Sequence, residues 1–151
     1  AMCGWEACVA VKEDTSAVAW GIRRGGGDAA GTSTETITAD ITSGVIAANC
    51  GMGGCVALKN GGSAVAWGNK NQADASGVDL SSGVVAAMCG RACVAVKNDG
   101  SAVAWGEAEG VDLAVNVGGD TSGVDLASGV TTAMCGDQAC VAVKDDGSAV
   151  A

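Results

Sequence analysis

The segment Met88-Cys-Gly-Arg-Ala-Cys-Val-Ala-Val-Lys-Asn-Asp-Gly-Ser-Ala-Val-Ala-Trp-Gly106 decides the fold, because the chain contains it four times in related forms. Its relatives span residues 2–21, 49–68 and 134–151. Each copy holds two cysteines, an apolar run, a lysine, a turn and the sequence Ser-Ala-Val-Ala. The chain is therefore a tandem repeat, and we expect neighbouring units to stack on one another to bury their apolar faces.

The repeats divide residues 1–151 into one repeat domain with units at about 1–40, 41–78, 79–124 and 125–151. The repeat tryptophans Trp20, Trp67 and Trp105 are separated by 67 − 20 = 47 and 105 − 67 = 38 residues. A further step of 47 from the last of them predicts a tryptophan just after the final residue. Both end units are therefore predicted to be incomplete.

Within each unit the local pattern indicates β-structure. In the third unit, residues 83–88, 93–97 and 101–105 are short apolar runs separated by turn residues. Asn98-Asp99-Gly100 predicts a tight hairpin in which both central residues take positive φ. The first unit has Glu13-Asp14-Thr15 at this place and lacks the glycine, so we expect that hairpin to be strained or rearranged.

The strands carry apolar residues on both faces, which is typical of sheets covered on both sides by neighbouring sheets. We expect the three repeat tryptophans to be buried between sheets, and Trp5, in a corner, to be more exposed. The matching segments 76–83 and 122–129 predict short outer strands around residues 78–80 and 124–126. These would give each unit four strands.

The pattern Gly-Val-Val-Ala-Ala-x-Cys-Gly-x-x-Cys-Val-Ala-Val-Lys-Asn-Asp-Gly-Ser-Ala-Val-Ala-Trp-Gly, read from the third unit, resembles the repeat of the regulator of chromosome condensation family. The stretch 118–129 also resembles tandem repeats of proteins from unicellular algae. The resemblance implies an all-β propeller with one blade per repeat, of which this chain would be a part. Two features depart from the family pattern: a cysteine replaces the usual histidine after the glycine corner, and only three to four units are present. A β-trefoil, a β-prism and a β-solenoid are the alternatives.

The eight cysteines form four close pairs, and glycine directly follows the first member of each. Each pair flanks a corner between antiparallel strands, where opposed residues lie close enough for a disulfide. Free buried thiols and a metal site are the alternatives, but zinc motifs need converging pairs with different spacing. Four disulfides would place the chain in an oxidising compartment, whether extracellular, secretory or an organelle lumen such as the thylakoid lumen. The pairs are Cys3 with Cys8, Cys50 with Cys55, Cys89 with Cys93 and Cys135 with Cys140.

The composition argues against catalysis and against nucleic acid as a partner. The chain has no histidine, the usual acid–base group, and its net charge of −9 repels phosphate. Carboxylates such as Asp99, Asp145, Asp146 and Glu107 fall at turns, where hydrogen bonds to the local backbone explain them. We therefore predict no catalytic residues, no cofactor and no metal. Apolar runs are also too short for a membrane span.

The function predicted from these observations is a non-enzymatic scaffold that binds a protein partner or a larger assembly. One alternative is an accessory, lumenal subunit of a large membrane complex such as a photosystem, and another is a carbohydrate-binding module. The long connectors 22–40 and 107–124 differ from one another and should carry specificity. Within the first, Arg23 and Arg24 form the only adjacent pair of cations and are the candidate anchor for an acidic partner.

Overall fold

The computed structural model describes residues 1–30, 36–106, 123–137 and 139–151. Their regular secondary structure is all-β apart from one 3₁₀ segment, η1 (Arg23–Gly25), and one short helix, α1 (Lys70–Ala73). The strands are β1 (Met2–Cys3), β2 (Ala7–Val11), β3 (Ala17–Gly21), β4 (Thr36–Ile37), β5 (Val45–Cys50), β6 (Gly54–Lys59), β7 (Ala64–Asn69), β8 (Val84–Cys89), β9 (Ala92–Lys97), β10 (Ala102–Gly106), β11 (Val130–Cys135), β12 (Cys140–Lys144) and β13 (Ala149–Val150).

The described strands form four antiparallel sheets, one for each repeat unit. The first, third and fourth sheets have three strands each, in the orders β1-β2-β3, β8-β9-β10 and β11-β12-β13. The second sheet adds β4 at its edge and has the order β5-β6-β7-β4. The prediction of an all-β array of units with three to four short antiparallel strands is confirmed.

Consecutive sheets pack face to face because each central strand is apolar on both faces. In β6, Cys55 and Ala57 point into the core shared with the first sheet. Val56, which alternates with them along the strand, packs into the core shared with the third sheet. Central strand β9 repeats the pattern, with Ala95 in the core it shares with the second sheet and Val94 in the core it shares with the fourth. The prediction of sheets covered on both faces holds for these two inner sheets.

Backbone hydrogen bonds also tie each sheet to the next at the hairpin end. Strands β5, β8 and β11 each begin with a valine whose N–H donates to the hairpin of the preceding sheet. These bonds join Val45 to Thr15 O at 2.8 Å, Val84 to Gly62 O at 2.7 Å, and Val130 to Gly100 O at 2.8 Å. Because the same bond recurs three times, the stacking geometry is set by the backbone as well as by side chains.

The hairpin turns differ from the predicted type. In the second unit the N–H of Gly62 donates to Lys59 O at 2.9 Å, and Gly62 has a φ of 76°. Asn60 is not among the residues with positive φ. The loop is thus a type I turn followed by one left-handed residue, a three-residue hairpin, and not a turn with two positive-φ residues.

In the first unit that left-handed position is held by Thr15, with a φ of 63°. It is the only residue other than glycine with positive φ in the described chain. The expected strain is therefore present, and it is accompanied by a hydrogen bond of 3.0 Å from Gly44 N to the Thr15 hydroxyl.

The outer strands predicted at 78–80 and 124–126 are absent, so that prediction was wrong. Each segment makes one backbone hydrogen bond to a strand: Leu80 O accepts from Ala64 N in β7, and Leu126 O accepts from Ala102 N in β10, both at 2.8 Å. Immediately afterwards the chain turns, because Asp79 accepts from Ser81 N at 2.9 Å. That local turn competes with further strand pairing.

The burial of the tryptophans agrees with the prediction at three positions and corrects it at the fourth. Trp67 and Trp105 are buried, with 0% and 5% of their surface exposed, and Trp5 is exposed as predicted. Trp20 was predicted to be buried but is 45% exposed. Each buried tryptophan packs on the preceding sheet, and within the described chain no sheet precedes the one that carries Trp20.

Candidate functional site

Every predicted cysteine pair is joined in a disulfide at the corner between the first and second strands of its sheet. The bridges are Cys3–Cys8, Cys50–Cys55, Cys89–Cys93 and Cys135–Cys140, each with a Cα–Cα distance of 4.0 Å. The two members of each pair are direct partners in the strand register. No cysteine is left free. The four bridges point to an oxidising compartment, because cytosolic thiols are kept reduced.

Beside the disulfides, the corner glycines of successive sheets form a column. A Cβ atom added to Gly4 would overlap the carbonyl oxygen of Gly51; the same holds for Gly51 against Gly90 and for Gly90 against Gly136. Hydrogen bonds reinforce two of these contacts: Trp5 N donates to Gly51 O at 3.2 Å, and Met52 N donates to Gly90 O at 2.9 Å. At Gly4, Gly51 and Gly90, therefore, only glycine lets the corners approach this closely, whereas a Cβ at Gly136 would meet nothing nearer than Ala139 O at 3.9 Å.

Two short helical segments, which the sequence pattern did not predict, follow the third strands of the first two sheets. After β3, η1 brings the carbonyl of Gly26 to the indole of Trp67, whose Nε1 donates to it at 2.9 Å in a buried position. After β7, the Asn69 side chain caps α1 by accepting from Asn71 N at 2.9 Å. Asparagine is a favoured residue at the start of a helix, so Asn69 was a signal in the sequence, but the four residues Lys70–Ala73 are too few to show a helical pattern.

Helix α1 supplies the one buried polar side chain of the described core. Gln72 is 8% exposed and lies so close to Gly53 that a Cβ there would overlap its amide. Its backbone carbonyl lies 3.8 Å from the Cys93 sulfur. The two helical segments thus cover the disulfide corner of the following sheet and fix the connector at that point.

The candidate anchors Arg23 and Arg24 both lie in η1 and are exposed. Arg23 Nε forms an ion pair with Asp28 Oδ2 at 3.6 Å, and because both groups are solvated this pair contributes little stability. Arg24 has no ion pair among the described residues. Glu6 packs against the backbone of Gly25. The surface around η1 therefore carries both positive and negative charges, and Arg24 is its cation without an ion pair among the described residues.

Three of the carboxylates predicted at turns lie there: Asp145, and Asp99 and Asp146, which accept from the N–H groups of Ser101 and Ser148 at 2.9 and 2.8 Å. The fourth, Glu107, lies outside the described residues. Asp79 accepts hydrogen bonds from the Ser81 hydroxyl at 2.6 Å and from Lys97 Nζ at 3.1 Å. Mainly because of the Ser81 hydrogen bond, the pKa of Asp79 lies below its ordinary range. In the fourth unit Lys144 pairs with Asp125 at 2.7 Å, and that bond lowers the pKa of Asp125. These groups stay ionised and serve the local turns.

Strands β5, β8 and β11 each carry a β-bulge with an exposed side chain, which the sequence pattern did not predict. A β-bulge interrupts the pairing of β5 at Ile46, of β8 at Val85 and of β11 at Thr131. The bulge turns these side chains outward, and the two apolar ones, Ile46 and Val85, are 54% and 53% exposed. The edge strands of successive sheets therefore form a series of exposed side chains that differ between units.

The structure describes only parts of the two connectors, 22–40 and 107–124, that were predicted to carry specificity. Residues 31–35 and 107–122 lie outside the described residues, so the prediction for those parts stays a prediction. The described parts of the first connector are residues 36–40, which include β4, and residues 22–30, which include η1. The backbone around η1 is fixed by hydrogen bonds from Gly25 N and Gly27 N to Ile22 O, both at 3.0 Å.

No family model matches the sequence, and no curated protein matches it. Among solved structures, the crystal structure of human WBSCR16 matches with a TM-score of 0.61 and 20% sequence identity, over 97% of this chain and 45% of that chain. The chain thus spans less than half the length of that neighbour. At this identity the likeness shows the fold alone: the four sheets have the arrangement of a β-propeller-like fold.

Proposed function

We propose that the chain is a non-enzymatic repeat module that serves as a scaffold and binds another protein. The observation that carries this proposal is the division of its surface. The faces between sheets are packed with buried apolar side chains. The hairpin ends, the bulges of β5, β8 and β11 and the η1 segment are exposed, and they differ from unit to unit. A rigid stack that presents different side chains at equivalent positions suits recognition of a partner surface.

We also propose that the units are repeats of the regulator of chromosome condensation type, in a variant with paired cysteines like that of the algal repeats. In support, Trp67 lies near the end of β7, the third strand of its sheet in chain order, and is followed by Gly68, which has a φ of 127°. The propeller-like neighbour supports this proposal at the level of the fold. The disulfide takes the corner position where the family usually has a histidine.

A narrower form of this proposal concerns where the module acts. An accessory role in a large membrane-bound assembly, in an oxidising lumen such as that of the thylakoid, is consistent with the disulfides. Among the described residues, no helix is long and apolar enough to cross a membrane. The carbohydrate-binding alternative was tied to a trefoil or prism, and the propeller-like fold removes that reason for it.

The partner contact is expected at η1, and Arg24 offers the test. Arg24→Ala removes an exposed charge that makes no described ion pair. Lys12→Ala is the matched control, since Lys12 is also exposed but lies at the opposite, hairpin end of the same sheet. Each variant would be used as bait in native extract at two salt concentrations, and the recovered proteins would be quantified by mass spectrometry and rebound in purified form.

We expect the wild-type protein to recover a specific protein partner, Arg24→Ala to recover several-fold less of it, and Lys12→Ala to match the wild type. Equal loss in both variants would show that only the net charge matters. If no protein bound and an oligosaccharide array gave specific signals, the scaffold proposal would be wrong and the carbohydrate-binding alternative would replace it.

A further inference from the structure

The hairpin of the second sheet contains Asn60 followed by Gly61, and this is the only Asn-Gly sequence in the chain. An asparagine side chain can be attacked by the backbone nitrogen of the residue that follows it. Glycine leaves that nitrogen unshielded because it has no side chain. The other asparagines precede larger residues, namely Cys50, Lys70, Gln72, Asp99 and Val117. The sequence therefore sets Asn60 apart from the rest.

The turn presents both reacting groups to solvent. Asn60 and Gly61 are exposed, and a Cβ added to Gly61 would meet nothing within 4 Å. Hydrogen bonds hold the turn on either side, from Asn60 N to Gly44 O at 2.8 Å and from Gly62 N to Lys59 O at 2.9 Å. Within the part of the chain that the structure describes, neither Gly61 N nor the Asn60 side-chain amide makes a hydrogen bond. The nucleophile and the group that it attacks are therefore both available.

Two Asp-Gly pairs can form the same kind of ring, and the structure shows why they react more slowly. In the hairpin of the third sheet, the Asp99 carboxylate accepts from Ser101 N at 2.9 Å and from the Ser101 hydroxyl at 2.7 Å. The hydroxyl bond holds the pKa of Asp99 below its ordinary range, and an ionised carboxylate is a poor target for a nucleophile. Gly100 N is engaged as well, since it donates to Lys97 O at 3.1 Å. Asp146–Gly147 in the fourth sheet repeats this arrangement.

We propose that Asn60 is a site of spontaneous modification, at which the protein loses an amide through a cyclic imide formed with Gly61 and gains aspartate or isoaspartate. Gly61 N gives up its proton to solvent base and bonds to Asn60 Cγ, and the side-chain nitrogen leaves as ammonia. Water then opens the ring. Opening at Cγ gives aspartate, and opening at the backbone carbonyl gives isoaspartate, whose main chain runs through Cβ and Cγ. The net change consumes a water molecule, releases ammonium and turns the amide into a carboxylate.

The first product, aspartate, has a precedent in the fourth sheet. Asp145 occupies the position equivalent to Asn60, and its N–H donates to Gly129 O at 2.7 Å just as Asn60 N donates to Gly44 O. We therefore expect aspartate at this position to leave the hairpin intact and to add only a negative charge.

The second product, isoaspartate, adds a carbon atom to the backbone inside the turn, directly before Gly61 and Gly62. Gly62 O accepts from Val84 N at 2.7 Å, which is the bond that ties the third sheet to the second at this end. Isoaspartate should displace Gly62 and weaken this junction. Because the reaction needs no enzyme, the weakened form accumulates with the age of the molecule.

Ageing of the purified, oxidised protein tests the site. The protein is held above neutral pH in water enriched in the heavy isotope of oxygen, so that only carboxylates formed in the folded state carry the label. Peptide mass spectrometry then gives the loss of amide at each asparagine. We expect the label mainly at Asn60, at a rate that rises with pH because Gly61 N must lose its proton. Equal labelling of Asn60 and Asn98, or an unlabelled Asn60, would overturn the proposal.

Two substitutions test the role of the following glycine. Gly61→Ala places a methyl group beside the attacking nitrogen in open space and should slow the labelling of Asn60 many-fold. Asp99→Gly creates the same Asn-Gly sequence in the third sheet, so Asn98 should become labelled at a rate within a few-fold of Asn60. Gly77→Ala is the control, since a Cβ there also meets nothing within 4 Å but the site lies outside the hairpin. Unchanged labelling of Asn60 in folded Gly61→Ala would refute the cyclic imide, and an unlabelled Asn98 in folded Asp99→Gly would do the same.

Amide hydrogen exchange at Val84 tests the structural consequence. After separation of the aged forms, the Val84 N–H should exchange several-fold faster in the isoaspartate form only. Asn60→Asp, which carries the charge without the extra backbone atom, should match the wild type. The internal control is Val130 N, which makes the same kind of bond to Gly100 O at 2.8 Å. Equal protection of Val84 in the isoaspartate form and the wild type would overturn the predicted weakening of the junction.

Discussion

Replacing Trp67 with alanine is the sharpest test of the inter-sheet packing. The Trp67 side chain is fully buried between the first and second sheets, in a core otherwise built from small residues. Its Nε1 donates to Gly26 O at 2.9 Å and so links β7 to the connector that follows β3. The substitution therefore removes both the largest filler of this core and a buried hydrogen bond.

The magnitude follows from those two contributions. Truncating a buried tryptophan to alanine costs about 3 to 5 kcal/mol when the cavity does not collapse. Small alanine and valine neighbours cannot extend into the cavity, so we expect the upper half of that range. Trp67→Phe keeps most of the ring but leaves the carbonyl of Gly26 without its donor, which costs about 1 to 3 kcal/mol.

Two other tryptophans provide matched comparisons. Trp20→Ala, at the equivalent position of the first sheet, should cost far less, because 45% of the Trp20 surface is already exposed. Trp105→Phe should cost less than Trp67→Phe, because Trp105 Nε1 has no hydrogen-bond partner among the described residues. Urea unfolding without reductant, followed by circular dichroism, gives the free energies of unfolding. Equal losses for Trp67→Ala and Trp20→Ala would refute this account of the packing.

Three further predictions concern the turns and the corners. Gly62→Ala should destabilise the protein by about 1 to 2 kcal/mol because of its positive φ, whereas Gly61→Ala, with negative φ and open space, should be neutral or slightly stabilising; urea unfolding distinguishes them. The unreduced, unfolded protein should show no titratable thiol, and reduction should lower the Tm, since each short bridge contributes roughly 2 kcal/mol; four or more free thiols would contradict this. The pKa of Asp79 is lowered in the folded state, so its stabilisation is present at neutral pH and is lost as pH falls below the ordinary carboxylate range. Asp79→Asn should therefore flatten the acid side of the stability curve, and an unchanged acid side would contradict this account.

The features that the sequence predicted correctly depend on residues close together in the chain. Cys50 and Cys55 flank one corner, so their pairing follows from strand geometry over a few residues. The three strands of each unit could be read for the same reason, from short apolar runs and glycine turns.

The features that were predicted wrongly depend on neighbours outside the unit or on local competition. Trp20 and Trp67 occupy equivalent strand positions, and their difference in burial comes from the presence or absence of a preceding sheet. Residues 78–80 have strand-forming composition, but the Asp79 side chain favours a turn there. The Asp-Gly and Gly-Gly sequences identify a hairpin without specifying whether one or two of its residues take positive φ.

For the candidate site, the sequence identified Arg23 and Arg24 as an exposed cationic pair, but not the ion pair of Arg23 with Asp28. The bulges at Ile46 and Val85 were not predicted, because one extra residue in a strand leaves an apolar run unchanged in appearance. The column of corner glycines was visible as a recurring Cys-Gly, but only the stacked geometry shows which atoms those glycines accommodate.

The disulfides have a consequence for how such arrays change over evolutionary time. Every bridge closes within one corner, at a sequence separation of four or five, and none joins one sheet to another. A unit can therefore be duplicated or deleted as a block without leaving a cysteine unpaired, and each new copy contains its own disulfide. A protein with bridges between units would lose that freedom, since every gain or loss of a repeat would mismatch two partners.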